Sequence, residues 1–504
     1  MKIFATLLVS AGLASVTADV VRNPLNIGMA MEYGQIYESG NLVTPQYPIE
    51  KTTAKRTIGW LVQSATIDER MDVVVGIGGM FLYLYPDEGY AYQHSAISAV
   101  ALAMAFGTYK WGDLQSPSTV LNFGFLPYTY NPDSKNIGSY LFRSTPYPTT
   151  ITNSSWDLVN SAAHGSSKSK LWGSVVSFNF LDGKWKNDLI LSVTDAYPLY
   201  DLSPAFVSTL QVGPMLQLGA GVHFYHLIQD DPKVNTRKIQ YNAYFNFNGK
   251  DYYAGSSYYG TAAGVYMDRA KADSALAISD PGNSASHLAS ADANIARAAP
   301  LTAAEALVDS LVPANPAPPL VPLKYYTVNG TLLAARFSLD FKPLLGEKVD
   351  FKIYGEAAML GIKNYPVFYE KPIERVPMML GINIPTFGLL DMFSVEAEYW
   401  KNHYINSYFE VIAQGGKGAV PNYDHMALQG RLEVDPTLEY TKDDLSWAIT
   451  AQKSIGKNLT IVGKAARDHL TLLNAGQGFG TDLQHDILVD DKGWYWVLHF
   501  QVAI

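Results

Sequence analysis

The chain has 504 residues and a formal net charge of -9; 48% of its residues are hydrophobic, 16% are charged and none is cysteine. The lack of cysteine excludes disulfides, thiol nucleophiles and thiolate metal sites, and the mild acidity argues against nucleic acid as a partner. The 33 tyrosines and 9 tryptophans suit the aromatic girdles of a membrane β-barrel, although large secreted β-proteins also favour tyrosine.

The N-terminus predicts an exported protein. Met1-Lys2 precedes an apolar run that ends at Val16-Thr17-Ala18, which fits a signal peptide over residues 1–18 that is cleaved before Asp19. The remainder, 19–504, is expected to form a single domain. After residue 18 no unbroken apolar stretch is long enough for a spanning helix, so a membrane form of this chain would have to be a barrel.

In chain order, predicted strands alternate with connections that are long on one side and short on the other. Hairpin signals such as Asp182-Gly183-Lys184 and Asn248-Gly249-Lys250 mark the short connections. About 18 strands are predicted, with 16–18 as the expected range, over residues 27–34, 57–66, 71–85, 99–109, 120–128, 172–180, 188–194, 206–212, 215–228, 239–247, 252–266, 332–341, 349–360, 376–384, 392–399, 447–453, 459–467 and 494–504.

The last strand has the clearest alternation. Trp494, Trp496, Leu498, Phe500 and Val502 share one parity, and more polar residues take the other. A soluble sandwich would also alternate, with its apolar face inward. The recurrence around the chain, the short turns on one side only and the aromatic terminal strand favour the fold class all-β, a transmembrane antiparallel β-barrel with long outer loops.

A barrel of this size is too wide for side chains to fill, so its polar face is expected to line water. The charged residues on that face are the predicted pore-lining set, and their mixed signs predict weak selectivity. The alternative is a solvated strand face without a transport role. The set comprises Arg336, Asp340, Asp350, Lys352, Glu356, Glu396, Glu398 and Lys464.

The segment 267–322 is an Ala- and Pro-rich insert that interrupts the strand pattern. A capping box at Thr302-Ala303-Ala304-Glu305 predicts a helix over 303–311, and 268–278 is a second candidate. Folded inward, the insert would narrow the pore, whereas folded outward it would cap the surface. The segment 401–444 predicts a projecting hairpin, because 404–412 and 426–434 both alternate.

No catalytic constellation stands out in the sequence. Glu396 and Glu398 share one strand face, a spacing compatible with acid/base chemistry or a cation site, but lining a wet lumen is the commoner explanation. We therefore predict a protein that is not an enzyme, with no catalytic, cofactor or metal residues.

The export signal, the terminal aromatic strand and the alternation of loops and turns resemble Gram-negative outer-membrane porins. Phe123 to Tyr128, followed by Asn131-Pro132-Asp133 and by Tyr140 to Arg143, is similar to a family-specific signature without a known substrate. The chain departs from such barrels by ending in Ile504 rather than in Phe or Trp.

The resemblance implies passive diffusion of small hydrophilic solutes through a bacterial outer membrane, in contact with its lipid bilayer and as a homo-oligomer. Two alternatives stay open. One is a barrel that is plugged by its long loop and acts in surface ligand binding or adhesion. The other is an exported β-rich enzyme or carbohydrate-binding protein.

Overall fold

A computed structural model gives the structure of this protein. Four features of the sequence analysis fall outside the residues that it describes: the signal peptide, the hairpin within 401–444, residues 312–322 of the insert and the C-terminal Ile504. The described residues are 20–38, 53–85, 95–142, 169–193, 201–225, 227–228, 239–241, 245–247, 250–252, 256–311, 324–326, 330–346, 349–360, 362, 372–400, 445–468 and 493–503.

Strands dominate the described chain, and three helices and one 3-10 helix, Pro372–Arg375, accompany them. The helices are α1 (Ser256–Ser279), α2 (Ser284–Leu311) and the single turn α3 (Lys342–Leu345). The strands are β1 (Val20–Arg22), β2 (Asn26–Glu38), β3 (Thr53–Ile67), β4 (Met71–Tyr85), β5 (Ser95–Gly112), β6 (Pro117–Tyr128), β7 (Ser169–Phe180), β8 (Trp185–Val193), β9 (Leu202–Val212), β10 (Leu216–Tyr225), β11 (Ile239–Tyr241), β12 (Phe245–Phe247), β13 (Lys250–Tyr252), β14 (Lys324–Tyr326), β15 (Gly330–Asp340), β16 (Lys352–Leu360), β17 (Met378–Asn383), β18 (Met392–Tyr399), β19 (Leu445–Ile455), β20 (Leu459–Arg467) and β21 (Trp494–Ala503).

Sixteen strands close into an antiparallel ring. The strands β2 to β10 pair in chain order, β10 pairs with β15, and β15 to β21 again follow chain order. The ring closes where β21 pairs with β2, from Gly28 opposite Ala503 to Glu38 opposite Trp494. The short strand β1 pairs with residues 65–67 of β3, on the same edge as β2 and beyond the end of the β2 pairing. The predicted all-β barrel is confirmed, and its size lies within the range of 16–18 strands.

The two strands predicted over 239–247 and 252–266 are wrong as barrel strands. β11 pairs with β14 and β12 pairs with β13, each as a separate two-stranded sheet, and the helix α1 begins at Ser256. β12 and β13 do pair on either side of the predicted Asn-Gly turn, whose residues 248–249 lie outside the described ones. The helical outcome has a packing reason: Ala263 and Ala270 are buried seven residues apart, a spacing that fits helix contacts better than a strand.

The helices α1 and α2 pack on each other as a hairpin. Ala263, Ala270 and Ala277 of α1 are buried at intervals of seven residues, as are Ala291 and Ala298 of α2, and small residues at this spacing let two helices approach closely. Both predicted helices, 268–278 and 303–311, lie within this pair. Within the described residues, no helix has the length and apolarity needed to cross a membrane.

Short turns join the ring strands at one end only. Several of these turns contain residues with positive φ, among them Asp68 (51°), Gly183 (81°) and Gly456 (64°), which is the conformation that tight hairpins require. The connections at the other end are long, as after β6 and β10. This one-sided arrangement is the one that the sequence predicted and that outer-membrane barrels share.

The apolar parity faces outward and the polar parity faces inward. On β18, Ser394, Glu396 and Glu398 are at most 1% exposed, whereas outward residues such as Leu189 and Leu380 are 48% and 55% exposed. A soluble sandwich has the opposite arrangement, because it buries its apolar face. The orientation of the two faces therefore excludes the sandwich.

Aromatic residues lie near both rims of the outer surface. On β7, Trp172 is 53% exposed near the long-loop end and Phe180 is 47% exposed at the short-turn end. The step of eight positions from one to the other corresponds to about 26 Å along the strand, or roughly 20 Å after a strand tilt of about 40°. Near the rims, Tyr33 and Trp496 contact each other with ring centroids 5.4 Å apart, and Phe180 contacts Trp185 at the same distance. This spacing is close to the height of a lipid-facing apolar band.

Candidate functional site: a loop inside the barrel

The connection that follows β6 enters the barrel. We call residues 129–142 the lumen loop. Most of its side chains are buried, and Asn136, Ile137 and Tyr140 are each 0% exposed. Counted from β2, β6 is the fifth strand of the ring and β18 the thirteenth. The loop contacts Glu396 on β18, so it reaches from one wall to the strand diametrically opposite.

Both ends of the lumen loop pack against wall residues of β6 and β10. The rings of Tyr128 and Phe142 lie 5.2 Å apart, and Phe142 lies 4.9 Å from the ring of His223 on β10. Leu141 packs on Gly221, which also lies on β10. A Cβ atom added to Gly221 would lie 2.5 Å from Leu141 Cδ2. The loop therefore starts and ends on a small apolar core inside the barrel, which an entirely water-filled lumen would lack.

The tip of the loop is held by a carboxylate on the opposite wall. Glu396 accepts hydrogen bonds from the backbone N–H groups of Lys135, Asn136 and Ile137 at 2.6, 2.8 and 2.8 Å. The hydroxyl of Tyr354 on β16 donates a fourth hydrogen bond at 2.8 Å. Hydrogen bonds to an ionised acceptor are the strong ones, so Glu396 is the principal anchor of the tip.

A second carboxylate holds the returning half of the loop. Glu356 on β16 accepts hydrogen bonds from the backbone N–H groups of Ser139 and Tyr140, both at 2.7 Å, and from Asn131 Nδ2 at 2.9 Å. The chain turns between the two carboxylates at Gly138, whose φ is +95°. A Cβ there would lie 3.1 Å from Glu356 Oε2, so glycine serves both the turn and the close approach.

Further polar contacts fix the tip toward β18 and β20. The Tyr140 hydroxyl donates to Glu398 at 2.5 Å. Asn136 accepts from Lys464 Nζ at 2.5 Å and donates to Asp468 at 2.6 Å. Within the barrel, these buried polar side chains are therefore hydrogen-bonded to one another, as is usual for buried polar groups.

The remaining charged residues of the predicted set lie closer to the short-turn end. Lys352 pairs with Asp133 of the lumen loop at 2.8 Å and with Asp340 at 3.4 Å. Asp350 pairs with Lys342 at 3.4 Å. The side chains of Lys352, Asp340 and Asp350 are 20%, 27% and 28% exposed, so this group keeps more contact with solvent than the carboxylates under the loop.

Arg336 joins the loop to β9 and β10. Its guanidinium lies 5.7 Å from the ring centre of Tyr130 and donates to Gln217 at 2.8 Å and to Thr209 at 3.2 Å. The ring face of a tyrosine attracts a cation, so the contact holds the start of the loop against this wall.

Seven of the eight predicted residues lie on the inward parity of ring strands, and Asp350 lies two residues before β16. Hydrogen bonds or ion pairs connect Glu356, Glu396, Glu398, Lys464 and Lys352 to the lumen loop, and Arg336 reaches it through Tyr130. Asp340 and Asp350 are joined to other charged side chains near the short-turn end. Their role in lining a pore remains a prediction.

Sequence reasoning missed the lumen loop as a structural unit. It singled out Asn131-Pro132-Asp133 and Tyr140 to Arg143 as a signature without giving them a place. One signal was available: the loop carries Ile137, Leu141 and Phe142 between polar residues, and such apolar side chains are uncommon in a connection that lies in solvent.

A closed antiparallel ring, an inward polar face and a loop folded into the lumen together define the architecture. The chain is a porin-like β-barrel. No family model and no curated protein matches it. Solved structures do match, among them two variants of Rhodopseudomonas blastica porin at 6% and 7% identity, with TM-scores of 0.37 and 0.36, over 96% of this chain and 100% of theirs. The porin-like description rests on the barrel itself.

Proposed function

We propose that this protein is an outer-membrane channel, rather than an enzyme, through which small hydrophilic solutes diffuse passively. The orientation of its two faces carries the proposal. A closed ring of sixteen strands with its apolar side outward and its polar side inward suits a lipid environment around an aqueous interior. The bacterial outer membrane is the location in which such barrels operate.

Within this proposal, the predicted residues divide into two roles. Glu356, Glu396 and Glu398 hold the lumen loop, since their oxygens accept hydrogen bonds from it. Lys352 and Asp340, which keep partial contact with solvent, face the solute path. Both signs of charge occur there, so discrimination between small anions and cations is expected to be weak.

A second candidate is a barrel whose lumen is closed and whose outer loops bind a surface ligand. One observation favours it: Ala30, Ile58 and Tyr495 lie on inward parities of β2, β3 and β21 but are 1%, 0% and 0% exposed. Inward side chains on the wall of a wide water-filled lumen would be more exposed. A narrow or closed passage along this wall explains their burial.

Planar-bilayer conductance of the full-length protein separates the two candidates. Steady open steps are expected for a channel. The matched variant lacks residues 267–322, which removes most of the helical hairpin and leaves the lumen loop intact. Conductance only in the deletion variant would favour the closed barrel. Absence of the protein from the membrane fraction would refute both candidates and favour a secreted protein.

A further inference from the structure

The hairpin formed by α1 and α2 has two unlike sides. On one side Asp273 accepts hydrogen bonds from Ser290 Oγ at 2.7 Å and from Asn294 Nδ2 at 2.9 Å, which joins the two helices. The opposite side is an apolar groove between the helices. Its large side chains remain in solvent, since Met267, Ile278 and Ile295 are 39%, 83% and 47% exposed. Leu288, which is 50% exposed, falls on the same side of α2 as Ile295 by helical geometry.

The groove residues fall on matching levels of the two helices. The bonds from Asp273 to Ser290 and Asn294 fix the antiparallel register of the hairpin. Within about one helical turn, this register places Met267 level with Ile295 and Ile278 level with Leu288. An apolar stripe therefore runs along both helices, as on the side of a bundle that another pair of helices would cover.

The groove also carries one charge of each sign at its middle level. Lys271 of α1 lines the groove, and Asp292 of α2 falls between Leu288 and Ile295 on the same side by helical geometry. Lys271 pairs only with the exposed Asp268 on its own helix, at 3.0 Å, among the ion pairs of the described residues. Asp292 has no ion pair within the described part of the chain and is exposed.

We propose that this groove is the contact between two copies of the chain, packed groove to groove about a twofold axis parallel to the helices. Under that symmetry α1 of one copy lies opposite α2 of the other, and residues keep their level along the axis. Lys271 of each copy then faces Asp292 of the other, while Met267 faces Ile295 and Ile278 faces Leu288.

The pattern of charge identifies a second copy as the occupant. A self-contacting surface must be complementary to itself, and one lysine with one aspartate at the same level meets that condition. A lipid surface would instead favour a basic rim around the apolar stripe.

The contact is small, so it is expected to be weak in dilute solution. Four partly exposed side chains per copy give an apolar patch of a few hundred Å² at most, which is below the area of a stable standard interface. Confinement of two barrels in one membrane raises their effective concentration. The dimer is therefore expected to strengthen as the protein becomes crowded in a bilayer.

The test uses the full chain in detergent micelles and in lipid nanodiscs, with the protein mass measured by light scattering over a range of concentrations. Ile278→Ser removes the most exposed apolar side chain of the groove and is expected to raise the dimer dissociation constant by about tenfold or more. Leu276→Ser is the matched control, since Leu276 is 46% exposed on nearly the opposite side of α1.

A charge exchange tests the pairing directly. Lys271→Glu and Asp292→Lys are each expected to weaken the dimer, and the double variant is expected to restore it. A monomeric wild-type protein at every concentration would overturn the proposal, as would an oligomer that survives Ile278→Ser or a double variant that fails to recover. Conductance is measured on the same samples. Unchanged single-barrel steps in a monomeric variant would show that the channel does not depend on the dimer, so failure of the channel proposal and failure of the dimer proposal can be told apart.

Discussion

Glu396 is the anchor whose loss should release the lumen loop. In the Glu396→Gln variant the side chain keeps its shape, but one of its oxygens becomes an amide NH2 group that cannot accept a hydrogen bond. Each carboxylate oxygen of Glu396 accepts two hydrogen bonds: Oε1 from Lys135 N and Tyr354 Oη, and Oε2 from Asn136 N and Ile137 N. The variant therefore loses two of the four hydrogen bonds in either orientation. With the NH2 group at the Oε1 position, only one of the two comes from the loop, because the Tyr354 hydroxyl belongs to the wall; at the Oε2 position both come from the loop.

The expected magnitude follows from these contacts. Hydrogen bonds to a charged group contribute about 1.5–3 kcal/mol each. The amide adopts the less costly orientation, which loses the one loop bond from Lys135 N, so docking weakens by about 1.5–3 kcal/mol. At about 1.4 kcal/mol for each factor of ten, the docking equilibrium shifts toward the released loop by about one to two orders of magnitude. Glu356 and the apolar core at Leu141 still oppose complete release.

Two assays report the released loop. Single-channel recordings should show larger or noisier open steps, because a docked loop narrows the lumen. Limited trypsin digestion should cleave after Lys135, whose backbone is held by Glu396 in the wild type. Glu69→Gln, the same change in an exposed turn, is the control for the loss of one negative charge. The same conductance and trypsin resistance in Glu396→Gln and the wild type would refute the anchoring argument.

Three further predictions concern the loop base, the outer face and an exposed turn. Gly221→Ala should push Leu141 aside and increase loop cleavage by trypsin, because the new Cβ would lie 2.5 Å from Leu141 Cδ2; unchanged cleavage would contradict this packing. Leu189→Arg lies midway between the aromatic rims and should lower the free energy of unfolding in a bilayer by about 2–4 kcal/mol. Urea titration in lipid vesicles measures this loss. An equal loss of unfolding free energy in detergent alone would argue against a lipid-facing position. The pKa of Asp391 lies below its usual range because the backbone N–H of Ser454 donates to it. Its contribution to stability is therefore present above the unfolded pKa and lost as pH falls through the lower folded value, so Asp391→Asn should reduce stability at pH 7 but not near pH 2 in urea titrations.

The sequence alone determined the strand pattern of this protein. Period-two alternation in segments such as 349–360 and 494–504 assigned residues to common faces, and the turn residues placed the short connections at one end. Both are local properties, since side-chain direction along a strand and tight-turn geometry depend on neighbouring residues only. The strand predicted over 252–266 was wrong, because most of this segment belongs to helix α1. The burial of Ala263 and Ala270 against a second helix outweighs the local strand pattern.

Only the tertiary structure decided which face lines the interior and where the loop after β6 goes. Apolar and polar side chains alternate along the strands of a sandwich and of a barrel alike. Which of the two strand faces points inward therefore depends on the closure of the ring between β2 and β21. The lumen loop has no periodicity, and Asn136 meets Asp468 across 332 positions of the chain. Such contacts exist only after the ring has closed, and for that reason Glu356 and Glu396 were recognised from the sequence as inward acids but not as anchors of the loop.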